Sequence, residues 1–275
     1  TGIQVEQFQG TTGEILARLE TEAANPVADV VILASWSDGL SMKEDGQIVS
    51  YTPENADKIN EGWVDEDSML FGYSASAVGV IYNTTVYPEL SADWAGLADS
   101  QYADDIAIPD PEKSGACKDF LAGLVTGLDD GEAIMESWAN NGLTVPGANA
   151  AALEAVTTGE KVIIIAGVDY NAYSYIEDVE PINFYYPESV TVVNPRPAMI
   201  MKPAPNMENA EAFIDFLFSD EAQKLVADAY LLPGRSDVEC SNRTNLDEIP
   251  QIDTNWDEMM QVADDTAAKL NELCQ

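Results

Sequence analysis

A serine–glycine pair at the start of a predicted helix has the clearest binding chemistry in the sequence. Ser114-Gly115-Ala116 follows a short apolar strand and opens that helix. The first N–H groups of a helix lack intrahelical partners and its dipole favours negative charge, so this stretch is a candidate anion site. Its small residues let a ligand approach the backbone. On local grounds alone, an ordinary serine N-cap is the favoured explanation.

Three further polar positions are candidate ligand contacts. Asn149 opens another predicted helix, where its amide either donates to a ligand or caps the helix. Asp169-Tyr170 follows the apolar stretch 161–166. The carboxylate can accept hydrogen bonds from hydroxyls or an ammonium and the ring can stack on a sugar, although the aspartate can equally cap a helical turn. Glu188 is a second candidate carboxylate.

A fourth candidate stands at the end of a short apolar run. Residues 29–34 are bounded by polar residues, which predicts a buried parallel strand, and Ser35-Trp36 follows directly. Ligands of open α/β sheets bind at the carboxyl ends of strands, so Ser35 and Trp36 are predicted to line the site.

The predicted elements alternate, which indicates an α/β protein built of packed layers. Alternation and apolar runs predict strands at 3–8, 29–34, 75–83, 106–108, 161–166, 182–186, 191–193 and 198–201. Apolar periodicity and capping residues predict helices at 15–24, 117–127, 131–140, 150–157, 210–218, 220–229 and 256–273.

The charge balance narrows the function classes. The 275 residues include 49 acidic and 12 basic side chains, a net charge of -37. Nucleic-acid binding is disfavoured because phosphate backbones require clustered Lys and Arg. We interpret the acidic residues as a solvated protein surface. Because salt screens the repulsion between like charges, we expect a saline environment or an exposed position at the cell surface. The acids lack calcium-loop spacing, so no metal site is predicted.

Neither enzyme nor membrane-span signatures are found. The sequence contains no histidine, which removes the commonest general base, and no nucleophile or nucleotide motif. No apolar run reaches the roughly 18 residues of a membrane span, and no leader precedes the chain, so we expect a soluble, processed or truncated product. Cys240 and Cys274 are predicted to form a disulfide in an oxidising compartment, with Cys117 buried.

Short motifs in a fixed order cover almost the whole chain. They include Ile-Pro-Asp-Pro at 108–111 before Ser114-Gly115, and Leu-Pro-Gly-Arg at 232–235; the others lie at 1–5, 12–14, 17–19, 28–30, 82–84, 152–156, 159–160, 186–188 and 210–217. In this order they resemble the type II periplasmic solute-binding proteins of ABC importers, in the ferric-ion-binding group. Each motif alone is weak, and their order is specific.

The resemblance implies two α/β lobes with mixed sheets flanked by helices, joined by two β crossovers, with the ligand in the cleft between them. The first lobe is expected to comprise residues 1–76 and 190–275, and the second residues 77–189. It also implies a monomer without cofactor that delivers a small-molecule ligand to an ABC permease. The expected location is the periplasm or the cell surface, free or lipid-anchored.

The resemblance also assigns site residues. Ser114, Gly115 and Ala116 match the positions that hold the bound anion, Asn149 matches an anion-contacting asparagine, and Thr12 lies in a matching motif. Iron-binding members carry a tyrosine pair where this chain has Asp169-Tyr170, which favours the hexose-phosphate or phosphonate branch. By that similarity Asp169 and Glu188 bind hydroxyls.

The sequence thus predicts a receptor for a sugar phosphate or phosphonate. Related branches bind 2-aminoethylphosphonate or thiamine. The alternatives are a ferric-iron receptor that uses Tyr170, Tyr185 or Tyr186, a hydrolase that acts through Asp169 and Glu188, and a surface protein with a receptor fold that binds nothing.

Overall fold

One long strand, β3 (Phe71–Asn83), runs through both halves of the sheet. The computed structural model describes residues 1–178 and 180–275. The first part of β3 pairs with β7 (Val193–Met201), and its last part pairs with β5 (Ile163–Val168) and β6 (Ile182–Tyr185). The strand is therefore shared by the two halves, as expected of a crossover.

The first half of the sheet is antiparallel wherever its pairing is described. Here β7 pairs with β1 (Val30–Ile32), β2 (Ile48–Val49) and β3, while β8 (Leu232–Pro233) pairs with β3. The prediction that residues 29–34 form a parallel strand is therefore wrong, because an apolar run reports burial on both faces and not strand direction.

The second half contains a parallel pair that positions two helices. Strand β4 (Ile106–Ala107) runs parallel to β5. Helix α3 (Gly115–Gly127) follows β4, and α6 (Asp169–Glu177) follows β5 without a break. The N-termini of both helices therefore lie at the same edge of the sheet, where ligands of α/β proteins bind.

The remaining helices surround these strands. They are α1 (Thr12–Glu22), α2 (Trp36–Glu44), α4 (Gly131–Asn140), α5 (Asn149–Thr157), α7 (Met207–Leu217), α8 (Asp220–Asp228) and α9 (Trp256–Leu273). The predictions for α3, α4, α5 and α9 are confirmed to within two residues, since their apolar periodicity and starting residues were clear.

The apolar cores change along β3. Ala75 and Ala77 belong to the core of the first half, whereas Val78 and Val80 belong to that of the second. The change falls between residues 77 and 78, one residue after the predicted lobe boundary, and the lobe bounds stay a prediction. The C-terminal helix α9 contributes Met259 to the second core, although the predicted first lobe included it.

Two local predictions differ from the structure. Residues 3–8 form no strand, and Val5 and Phe8 are exposed, because no neighbouring strand pairs with them. Strand β7 continues through Pro195 and Pro197, which were expected to interrupt it. A proline removes a donor but keeps its carbonyl, and the carbonyl of Pro197 accepts the Leu33 N–H at 3.2 Å.

The cysteines are all free thiols in the structure. Cys117 is buried as predicted, and burial raises the pKa of its thiol. The predicted disulfide is not formed: Cys240 Sγ contacts the Leu231 carbonyl oxygen at 3.4 Å, while Cys274 follows α9 and packs against the second core. Among the described residues, no helix has the length and apolar character to cross a bilayer.

Candidate functional site

The N-termini of three helices meet at Gly115. A Cβ atom at this position would lie 2.7 Å from Ser35 Cβ and 2.9 Å from Thr12 Oγ1. Thr12 begins α1, Ser35 caps α2 and Gly115 begins α3. Only glycine permits this approach, because any side chain would separate the segments. The structure thus brings three of the predicted site residues together.

A fourth helix N-terminus is attached to the third by a hydrogen bond. Ser114 Oγ donates to Asn149 Oδ1 at 2.9 Å and accepts the Cys117 N–H at 3.3 Å. Ser114 is therefore both an N-cap and a link to α5. The side chain of Ala116 is buried in the second core, so its backbone N–H is the group that can contact a ligand.

Ser35 and Trp36 are engaged by the protein itself. Ser35 Oγ donates to Asp119 Oδ1 at 3.0 Å, and the Trp36 N–H donates to Asp119 Oδ2 at 2.8 Å. The Trp36 indole lies 6.2 Å from that of Trp256 and is 2% exposed. The prediction that these side chains contact a ligand is at odds with this placement. The chain turns into α2 at Ser35, which buries both residues.

Asp119 is a buried carboxyl without a contacting cation among the described ion pairs. Burial, together with the nearby Asp38 carboxylate, raises the pKa of Asp119 to about 7. The neighbouring Lys118 pairs with Asp38 and Asp264 instead. The sequence suggested no role for Asp119, because its partners at the start of α2 are 83 and 84 residues away.

Asp169 lies inside the protein and not on the cleft surface. Its Oδ2 accepts the Ala77 N–H at 2.9 Å, the Tyr186 hydroxyl at 3.0 Å and Arg243 Nη2 at 2.6 Å. The side chains of Asp169 and Arg243 are both 0% exposed. The expectation that this carboxylate binds ligand hydroxyls is therefore corrected, because the protein occupies its lone pairs. Arg243 is 74 residues away and carried no signal in the sequence.

Tyr170 and Glu188 differ in their surroundings. Tyr170 is partly buried, with its ring centroid 4.8 Å from the guanidinium carbon of Arg196. Glu188 is exposed in the loop after β6. The side-chain contacts of the described residues include none that joins Glu188 to the helix N-termini. The structure therefore retains Tyr170 near the cleft and does not bring Glu188 to it.

Sequence reasoning missed a row of polar side chains on the crossover strands. Ser74 pairs directly with Arg196, and Ser76 with Asn194. Because directly paired residues share a face of a sheet, the four side chains lie together. Ser74, Ser76 and Asn194 are at most 1% exposed. Their polar side-chain atoms, and Arg196 Nε, have no hydrogen-bond partner among the described residues.

The signal for this row was present but misinterpreted. In Asn-Pro-Arg-Pro at 194–197, two polar residues alternate with prolines inside an apolar stretch. The prolines predict the end of a strand, so the alternation of Asn194 and Arg196 on one face of a continuous strand is not recognised from the sequence.

The tyrosines proposed as iron ligands are held in other contacts. Tyr185 donates its hydroxyl to the Ala92 carbonyl at 2.8 Å, and Tyr186 donates to Asp169. Burial raises the pKa of both phenols, which opposes the phenolate that ferric ion requires. Among the described residues, no group of three or more Cys, Asp or Glu side chains is arranged to hold a metal ion.

Comparison with known proteins identifies the family of the chain. A family model described as bacterial extracellular solute-binding protein matches residues 25–262. Iron uptake protein A1 of Synechocystis sp. is 29% identical, over 82% of this chain and 67% of that protein. A periplasmic protein of Salmonella typhimurium named for 2-aminoethylphosphonate binding is 24% identical, over 94% of this chain and 80% of that protein.

The fold is shared with a solved receptor. The periplasmic binding protein AfuA from Actinobacillus pleuropneumoniae, with exogenous fructose-6-phosphate bound, has a TM-score of 0.86 and 20% identity, over 98% of this chain and 88% of that chain. This likeness establishes the two-lobed architecture. The chain belongs to the bacterial extracellular solute-binding proteins and has the type II periplasmic binding fold of the ferric-ion-binding group.

Proposed function

We propose that this substrate-binding component of an ABC importer captures a small solute carrying a phosphate or phosphonate group, with a sugar phosphate as the first candidate. The observation that carries the proposal is the hydrogen bond from Ser114 to Asn149 at 2.9 Å, which joins the N-termini of α3 and α5. The first N–H groups of both helices, with the Asn149 amide, then form one set of donors for an oxyanion.

This arrangement suits a strongly acidic protein. Each helix N-terminus acts as about half a positive charge, and its effect is confined to the first turn. Anion capture therefore needs no positive surface potential, which a net charge of -37 would not provide. The fructose-6-phosphate in AfuA and the name of the Salmonella relative support ligands of this class.

The proposal is tested by calorimetry with the purified protein. We expect saturable binding of fructose 6-phosphate or 2-aminoethylphosphonate and no binding of fructose. Asn149→Ala removes one donor and the link to Ser114, so we expect about 10-fold weaker binding. Asn140→Ala, at the exposed end of α4, is the matched control and should leave the affinity unchanged. Binding of fructose as tight as that of its phosphate would contradict the proposal.

Ferric iron is the second candidate, because one relative is named for iron uptake and Tyr170 and Tyr73 lie beside Arg196. Titration with ferric citrate separates the two. A phenolate-to-iron charge-transfer band with no response to phosphate esters would favour iron. A hydrolase that acts through Asp169 and Glu188 is disfavoured, because the Asp169 carboxylate is buried in an ion pair with Arg243.

The proposed function also implies a cellular location and a partner for the protein. We place the protein outside the cytoplasmic membrane, in the periplasm or on the cell surface, as a monomer that delivers its solute to an ABC permease. Nucleic acid is not a proposed partner.

A further inference from the structure

We infer that Arg196 selects the charge of the ligand: its guanidinium binds the solute's oxyanion through its edge, while the Tyr170 ring holds its face. The inference deepens the proposed function and rests on it. None of the motifs that pointed to the binding-protein family includes Arg196.

The pairing of the basic side chains sets Arg196 apart. Arg243 contacts Asp169, Arg235 contacts Asp220 and Asp237, and Lys118 contacts Asp38. Arg196, with its Nε buried, has no carboxylate within ion-pair distance among the described residues. This occurs in a chain with 49 acidic residues. Arg196 is half-buried, and a guanidinium partly withdrawn from water without a counter-charge is unfavourable, so an anion from outside the protein is the partner that this position suits.

The surroundings of Arg196 keep it charged and oriented. Burial acts to lower its pKa, but the hydroxyls of Tyr170 and Tyr73 outweigh this, and the pKa is raised. The Tyr170 ring lies against the guanidinium face at 4.8 Å. A stacked guanidinium leaves its N–H edge for two parallel hydrogen bonds, which match the spacing of phosphate, phosphonate or carboxylate oxygens.

The neighbours of Arg196 complete a polar subsite. Ser74 lies directly opposite it, and Ser76 and Asn194 are the next pair on the same face. Their hydroxyl and amide groups have no partners in the part of the chain that the structure describes. They supply donors and acceptors for the hydroxyl or amino groups of a solute. The subsite therefore takes a polar metabolite with an oxyanion and rejects uncharged sugars and free cations.

The topology connects the subsite to the helix N-termini. Tyr170 stands at the start of α6, at the sheet edge where α3 also begins. The Ala77 N–H, next to Ser76, donates to Asp169 in that same first turn of α6. In this proposal the crossover strands form the back of the cleft, and the helix N-termini form its sides.

Calorimetry on four proteins tests the inference: the wild type, Arg196→Gln, Arg196→Lys and Lys224→Gln. The ligands are fructose 6-phosphate, 2-aminoethylphosphonate, inorganic phosphate and citrate. Losing a charged, desolvated donor pair should weaken oxyanion binding about 100-fold in Arg196→Gln. Arg196→Lys keeps the charge without the planar edge and should weaken binding about 10-fold. Lys224→Gln makes the same change in net charge at an exposed site and should bind as the wild type does.

The outcomes separate the inference from the proposed function. Wild-type affinity in Arg196→Gln, with weak binding in Asn149→Ala, would overturn the inference and leave the function standing. Binding of citrate that depends on Arg196, without binding of any phosphate or phosphonate, would overturn the proposed ligand class and leave the inference standing. Circular dichroism and unfolding midpoints verify that each variant is folded.

Discussion

Two arginines with similar surroundings differ in what satisfies their charge. Arg243 lies 5.3 Å from the centroid of the Tyr173 ring, and Arg196 lies 4.8 Å from that of Tyr170. Arg243 also donates to Asp169 at 2.6 Å and to the Tyr230 carbonyl at 2.7 Å. Arg196 has an unpartnered Nε and no ion pair within the described residues. Stacking on a tyrosine ring is common to both, although Arg243 is buried and Arg196 is half-buried. Pairing is therefore what distinguishes a structural arginine from one available to a ligand.

The paired arginine supports the unpaired one. Asp169, held by Arg243, accepts the Tyr170 N–H through Oδ1 at 2.7 Å. This fixes the first turn of α6 and with it the ring on which Arg196 stacks. A carboxylate that the sequence suggested as a ligand contact is therefore better described as the anchor of a residue that lies in the site.

The largest expected difference between the arginines is in stability. Arg243→Met leaves the Asp169 carboxylate buried and unpaired, so we expect the free energy of unfolding to fall by about 3–5 kcal/mol. Arg196→Met removes an uncompensated charge and should change that free energy by about 1 kcal/mol at most. Urea unfolding, followed by both circular dichroism and tryptophan fluorescence, gives the two values.

The unfolding measurement can contradict the proposed difference between the two arginines. Equal losses in the two variants would mean that Arg196 has a partner within the protein. Coincident transitions by the two probes are required, because a two-lobed protein can unfold in more than one step.

Asp119 is an acidic side chain that, like Arg196, can be compared with the paired Arg243. Like Arg196 it has no counter-charge in contact, and its pKa is raised from 3.8 to about 7. Below about pH 4 both folded and unfolded chains hold this proton. As the pH rises to about 7 the unfolded chain releases it first, so the stability contributed at low pH is lost across this range, by on the order of 3 kcal/mol.

The variant Asp119→Asn isolates this contribution. Its side chain does not titrate, so relative to the wild type it should gain about 3 kcal/mol of stability between pH 4 and pH 8. Carboxyl groups that do not interact with Asp119 cancel in this difference, and 1 M NaCl screens their mutual repulsion. Parallel stability curves for the two proteins would show that Asp119 is ionised throughout.

Local patterns predicted most of the helices, including those whose N-termini form the candidate anion site. The bounds of α9 and the start of α3 followed from periodicity and from a serine cap, which are properties of neighbouring residues. The hydrogen bond from Ser114 to Asn149 joins two such tips, and the family resemblance had already assigned both residues.

Long-range pairing could not be predicted in the same way. Whether Asp169 faces a ligand or the interior depends on Arg243, and whether Ser35 is free depends on Asp119. These partners are 74 and 84 residues away, and no periodicity connects them. The row on the crossover strands was missed because its two serines and its arginine pair across a register that only the fold establishes.

The smallest expected effect concerns the two tyrosine rings that stack on the arginines. Tyr170→Leu removes the ring under Arg196 and should weaken oxyanion binding by about 2- to 30-fold, because a cation–π contact contributes about 0.5–2 kcal/mol. Tyr170→Phe keeps the ring and should retain most of the affinity. Tyr173→Leu removes the ring under Arg243, together with its hydrogen bond to Thr244, and should lower stability without changing affinity. Calorimetry alongside urea unfolding distinguishes these outcomes. Equal loss of affinity in Tyr170→Leu and Tyr173→Leu would mean that both arginines act through the fold and that neither is reserved for the ligand.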